Sequence, residues 1–190
     1  MAGKDNRFRI IAGEWRGRKF AFPSLEGLRP TPDRVRETIF NWLQPVIPGA
    51  HCLDIFAGSG ALGLEALSRG AAHCIFVDQQ SEAVKAIREH LQMLSASQAD
   101  VVQSDAMQYL QASTGQLFDV VFLDPPFRKQ LLPRCCELLE SGQLLAAGAR
   151  VYMEIESENK LATELDLPAN WQILRDKTTG QVRSLLAQRT

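Results

Sequence analysis

Apolar residues in this chain gather in short blocks separated by amphipathic stretches, a rhythm that sets most of its secondary structure. The blocks at 51–55, 74–77, 101–103, 120–123 and 151–155 are rich in Val, Ile, Leu and Phe and too short for helices, so they are predicted strands. Between them, helical periodicity predicts helices near 61–69, 81–94, 106–112 and 130–139. In the second of these, Val84, Ile87, Leu91 and Leu94 form one stripe, with Ser81 placed to cap it. An earlier helix opens at Thr31: Thr31 can cap, Pro32 suits the first helical position, and Asp33 favours the positive end of the dipole. Val35, Ile39, Trp42 and Leu43 are expected on its buried face, and Pro45 and Pro48 end it.

Strand and helix alternation of this kind implies a parallel sheet covered on both faces, because parallel strands need crossovers. The expectation is a doubly wound α/β fold. The tail differs, since the runs at 171–175 and 182–187 flank a turn-rich DKTTGQ and read as an antiparallel hairpin with Gly180 in the turn. Residues 1–30 read as an appended piece, a hairpin from 9–11 and 18–20 around 13–17, preceding one domain over 31–190. At 190 residues the chain is long enough to bury a substantial core.

Composition narrows the class. No run approaches the roughly 20 apolar residues that span a bilayer, and the start MAGKDNRFRIIAG lacks a signal-like apolar core, so a cytoplasmic protein is expected. Cys52, Cys74, Cys135 and Cys136 form no Cys-x-x-Cys motif and read as reduced, buried thiols. His51, His73 and His90 are too dispersed to suggest zinc, and no metal is expected. The net charge of −1 conceals an asymmetry: residues 1–36 hold nine basic against four acidic residues, while the rest of the chain is acidic. A basic segment on an acidic body suits a phosphate backbone, although a solvated charged surface would look the same.

The chemistry begins in LDIFAGSGALG. Gly58, Gly60 and Gly63 match Gly-x-Gly-x-x-Gly after a strand and at a helix start, where backbone can approach a ligand closely. Alone, that motif serves dinucleotides as well. Asp54, four residues before the first glycine, would repel a pyrophosphate but favour an ammonium, which points to S-adenosylmethionine. Phe56 and Ala57 belong to the same loop, Asp78 is placed for ribose hydroxyls, and Asp105 with the Ala106 amide for adenine. Each aspartate could instead merely cap a helix or turn.

The most specific element is Asp124-Pro125-Pro126-Phe127, directly after the strand block VVFL. Consecutive prolines fix an extended, rigid turn. An exocyclic base amine is a poor nucleophile because its lone pair is delocalised. The Asp124 carboxylate and the Pro125 carbonyl can both accept its hydrogens, and Phe127 can stack on a base flipped out of its helix. The pairing of glycine loop and DPPF therefore reads as methyl transfer to a nucleic-acid amine.

With those residues assembled, the sequence resembles the bacterial 16S ribosomal RNA guanine-N2 methyltransferases of the RsmD family. The likeness runs through RIIAGEWRGRKF, LRPTPDRVRETIFNWL, LDIFAGSGALGLEALSRGA, DPPF and the closing GQV. It implies the class I S-adenosylmethionine methyltransferase fold, with a mostly parallel seven-stranded sheet ending in an antiparallel hairpin. It implies as substrate a single guanine of 16S ribosomal RNA in an assembling small subunit, and as actor a monomer. Relatives more often carry glutamate at Asp78. Arg7, Arg16, Arg18, Lys19, Arg29, Arg34 and Arg36 are the expected phosphate contacts. Trp15 could stack on RNA or pack the hairpin onto the body. The competing readings are an adenine-N6 DNA methyltransferase, a nicotinamide oxidoreductase, and a non-catalytic RNA-binding assembly factor on the same fold.

Overall fold

The computed structural model describes residues 6–23, 31–126, 131–156 and 167–190. A two-stranded antiparallel hairpin, β1 (Arg7–Arg9) with β2 (Lys19–Ala21), precedes helix α1 (Asp33–Leu43). Then follow β3 (His51–Asp54), α2 (Ala61–Ser68), β4 (His73–Asp78), α3 (Ser81–Leu94), β5 (Ala99–Gln103), α4 (Ala106–Ala112), β6 (Phe118–Leu123), α5 (Leu132–Ser141) and β7 (Leu145–Glu156). The chain closes with β8 (Trp171–Thr179) and β9 (Val182–Arg189). Strands β3 to β9 form one sheet in the order β5-β4-β3-β6-β7-β9-β8, with β9 antiparallel to both its neighbours. The doubly wound sheet and its terminal hairpin are as the alternation predicts.

Strand period assigns alternate residues to opposite faces, and both faces are covered. Phe122, Tyr152 and Leu186 pack with α1, α2, α3 and the N-terminal hairpin on one face, while Val121, Leu123, Val151 and Met153 pack with α4 and α5 on the other. The hairpin is part of the first core: Phe8, Ile10, Trp15, Phe20 and Phe22 are all buried in it. Of the two readings of Trp15, packing is the one realised, with its backbone N–H donating to Ser68 Oγ at 3.0 Å.

Local corrections have local causes. Thr31 does not cap α1. Pro32 occupies that position without a side-chain bond, and the Thr31 hydroxyl turns to Asp124 instead. The buried face of α1 is Arg36, Ile39, Phe40 and Leu43, with Val35 and Trp42 only partly covered, so the stripe is rotated from the predicted one. Gln80, not Ser81, stands at the start of α3. The N-terminal strands sit about one residue or two from their predicted places, and β8 continues through the expected turn as far as Thr179.

Candidate active site

In an open α/β sheet, ligands bind where the strand order reverses, at the carboxyl ends of the strands. Here β3 lies between β4, the next strand in the sheet, and β6, so the crevice opens beyond Asp54 and Asp124. The loop after β3 is held by its own acids. Asp54 Oδ2 accepts the Gly63 N–H at 3.0 Å, and Asp78 Oδ2 accepts the Gly58 N–H at 2.8 Å, while its Oδ1 accepts Gln80 N–H at 2.8 Å. Gly60 has φ +77, and at Gly63 a Cβ would lie 2.2 Å from Phe76 Cε1, so one glycine supplies a left-handed turn and the other lets α2 settle on the sheet.

Asp54 is buried, and burial, reinforced by the Asp78 charge against the Gly63 hydrogen bond, pushes its carboxyl up to about 7. A buried acid so weakly compensated suits a cationic ligand group, and the donors and acceptors around it fit the amino-acid end of S-adenosylmethionine. Asp78 is half-buried at the end of β4, facing the same loop. Asp105 is exposed and caps α4, its Oδ1 accepting Met107 N–H at 2.9 Å and Gln108 N–H at 3.1 Å; Ala106 is buried behind it. Phe56 is half-buried, and Ala57, Gly58 and Gly60 are buried within the loop.

Across the crevice, Asp124 is half-buried, Pro125 buried and Pro126 exposed; Phe127 lies outside the described residues. The Asp124 carboxyl is held well above the usual carboxylate range by loss of hydration, by the charges of Glu154 and Asp54, and by a hydrogen bond with Glu154; the Thr31 hydroxyl opposes this. Glu154 is raised by burial too, against hydrogen bonds from Tyr152 and Asp124. Tyr152 Oη lies 2.7 Å from Glu154 Oε1 and 3.1 Å from Ser184 Oγ. Glu154, Tyr152, Ser184 and the role of Thr31 were not singled out from sequence; an acid inside the apolar run VYMEI was the available signal.

The basic residues divide. Arg7, Arg16, Arg18, Lys19 and Arg34 are exposed, and Arg29 lies outside the described residues. Arg36 must be removed from the phosphate contacts, because it is fully buried. Its Nη2 donates to Arg9 O and Asp33 Oδ1, both at 2.7 Å, its Nε donates to Thr31 O at 3.2 Å, and Nη1 lies 3.6 Å from Glu65 Oε2. Glu65, also buried, accepts the Ile11 and Ala12 amides at 2.8 and 3.0 Å and Arg69 Nε at 2.7 Å. Trp15 bonds Ser68 at the end of α2, and Arg18 Nη2 reaches Met93 O near the end of α3 at 3.1 Å. Since α2 and α3 run away from the crevice, the hairpin tip lies at the far end of the sheet, whereas Arg34 follows Thr31 by three residues near Asp124.

Comparison with known proteins adds a family. A family model described as Conserved hypothetical protein 95 matches residues 8–188. The ribosomal RNA small subunit methyltransferase D of Escherichia coli (strain K12) is 51% identical over 185 residues, covering 97% of this chain and 91% of that protein. The protein of the same name from Haemophilus influenzae is 46% identical over 95% of this chain and 93% of its own length. Among solved structures, the Escherichia coli protein yhhF superposes with a TM-score of 0.88 at 48% identity, covering 96% of this chain and 98% of that one. A Haemophilus influenzae methylase superposes with a TM-score of 0.82 at 42% identity, covering 96% and 98%.

Proposed function

The chain belongs to the Conserved hypothetical protein 95 family and is similar over nearly its full length to ribosomal RNA small subunit methyltransferase D, and from that premise we propose that it is a ribosomal RNA methyltransferase that methylates the exocyclic N2 amine of a guanine in 16S ribosomal RNA. The observation that carries this reading is the meeting of two acids at one crevice: Asp54 below the glycine loop and Asp124 at the head of a rigid Pro-Pro turn. S-adenosylmethionine, when bound, supplies an electrophilic methyl on a sulfonium. Asp54 and the loop amides hold the methionine end, Asp78 suits the ribose, and Asp105 and Ala106 the adenine. Asp124 and the Pro125 carbonyl accept the hydrogens of the amine and turn its lone pair toward the methyl, while Phe127 stacks on the base. Most of the acceleration comes from positioning two reactants in line. Guanine, the assembling subunit, a cytoplasmic site and a monomeric actor follow from the resemblance.

The test uses small ribosomal subunits from cells lacking the gene. Wild-type chain should restore one N2-methylguanine in 16S RNA, and Asp124→Ala should lose about 10³-fold or more in methyl transfer while keeping S-adenosylhomocysteine affinity within about twofold. Near-normal turnover by Asp124→Ala would refute the site. Restoration of N6-methyladenine instead would refute the guanine.

A further inference from the structure

The reaction as read so far employs Asp124 and leaves Glu154 unexplained. Glu154 is 5% exposed at the carboxyl end of β7, next to β6 in the sheet, and forms a hydrogen bond with Asp124. Register continues the row: Glu154 pairs with Ser184 of β9, and Ser184 with Lys177 of β8. Two ionised carboxylates in contact repel, and a hydrogen bond between them requires a proton on one. The groups facing the pair are Asp54 from β3, Tyr152 from β7, Ser184 from β9 and Thr31 ahead of α1. None of these four is a cation, and Lys177 at the end of the row donates to Thr38 Oγ1 at 3.5 Å, so a proton and hydroxyl dipoles stabilise the pair's charge.

We infer that Glu154 is a positioning residue for Asp124: the two carboxyls share one proton, and Asp124 takes the proton shed by the methylated amine as its own passes to Glu154. This rests on the reading of Asp124 as the amine's partner. The amine lone pair forms the new N–C bond as the C–S bond breaks, leaving a thioether and a nitrogen with one proton too many. That proton moves to the Asp124 oxygen facing the amine, and the proton on the other Asp124 oxygen moves to Glu154. The pair changes from one negative charge to none, then returns its extra proton to water. Tyr152 Oη, 2.7 Å from Glu154 Oε1, orients the receiving carboxylate, so the proton crosses between groups already aligned.

The test is the single-turnover methylation rate of small subunits against pH, with S-adenosylhomocysteine affinity as a control. In Glu154→Gln, Asp124 loses both the neighbouring charge and the acceptor that hold its proton, so the acid limb should move down by about one pH unit. With a weaker base remaining, the rate at neutral pH should fall roughly tenfold. Tyr152→Phe removes a donor that favours ionised Glu154, so its acid limb should move the opposite way, up by a few tenths of a unit. A group with only a packing role moves neither limb. Unmoved limbs in both variants, with Asp124→Asn inactive, would overturn this inference and leave the reading of Asp124 standing. Substantial turnover by Asp124→Asn would overturn both. If Glu154→Gln fails to fold, the Tyr152→Phe limb decides alone, an upward shift supporting the inference and an unmoved limb overturning it.

Discussion

Two clusters of charge meet at Thr31, just ahead of α1, and they are built on opposite rules. Around Arg36, opposite charges meet: Asp33 and Glu65 face the guanidinium, Arg69 shares Glu65, and backbone amides of the hairpin fill the carboxylate's remaining sites. Around Asp124, like charges meet: Glu154 is in contact and Asp54 is near enough to raise its proton affinity. The first arrangement balances charge against charge, with Arg36 Nη1 held by its 3.6 Å ion pair to Glu65 and no hydrogen bond, and it ties the hairpin to α1 and α2. The second leaves negative charge under-compensated at the mouth of a crevice, where a cationic ligand and a proton-shedding amine can complete it. Compensated buried charge marks scaffold in this molecule, and uncompensated buried charge marks chemistry. Thr31 joins the two, its carbonyl accepting Arg36 Nε and its hydroxyl bonding Asp124.

The comparison breaks most visibly at Arg36. Arg36→Met takes one of two cations from Glu65 and leaves the Arg9 and Thr31 carbonyls without their donor, so the expected cost is about 3–5 kcal/mol of stability, read from denaturant unfolding. A loss under about 1 kcal/mol, the range of exposed pairs, would mean the cluster is not scaffold.

Asp54 should behave in the reverse sense. Its folded carboxyl is pushed up to about 7 from an ordinary aspartate's 3.8, so its contribution to stability is present below about 4 and is lost as pH rises toward 7 and just beyond. Subtracting the stability of Asp54→Asn from that of wild type should isolate a decline on the order of 1–3 kcal/mol across that window. A flat difference would show that Asp54 is compensated after all.

The same acid predicts a smaller signal on binding. An ammonium beside Asp54 favours its ionised form, so S-adenosylhomocysteine binding near pH 6.5 should release on the order of half a proton. Calorimetry in buffers of different ionisation enthalpy measures this, and Asp54→Asn should abolish it. Binding without proton release in wild type would separate the ligand's ammonium from Asp54.

What could be read from sequence follows the same division. The sheet was legible because strand blocks and helical stripes are periodic, and Asp54 and Asp124 because each stands at a fixed offset from a motif of glycines or prolines. Glu154 was not legible as a partner of Asp124, since 30 residues separate them and only the β6–β7 pairing brings them together. Arg36 was misread because composition counted it with a basic run. Its helical spacing to Ile39, Phe40 and Leu43 puts it on the buried stripe, a pattern stronger than the charge count. Asp105 shows the converse, a motif acid that also satisfies the cap of α4.

Arg34 and Arg16 form a third case, cations exposed on the surface, and they should matter little to stability and modestly to RNA. Arg34 is exposed on the first turn of α1, close to Thr31 and so to Asp124, while Arg16 is exposed on the hairpin at the far end of α2. If RNA approaches the crevice, Arg34→Ala should weaken small-subunit RNA binding several-fold and reduce the slope of log affinity against log salt by about 1. Arg16→Ala should change the slope by less than about half of that, because its position does not face the reacting base. Both should leave stability within about 0.5 kcal/mol. Equal slopes for the two variants would extend the RNA path along the hairpin to the far end of the sheet, and a larger effect at Arg16 would reverse the polarity of the interface.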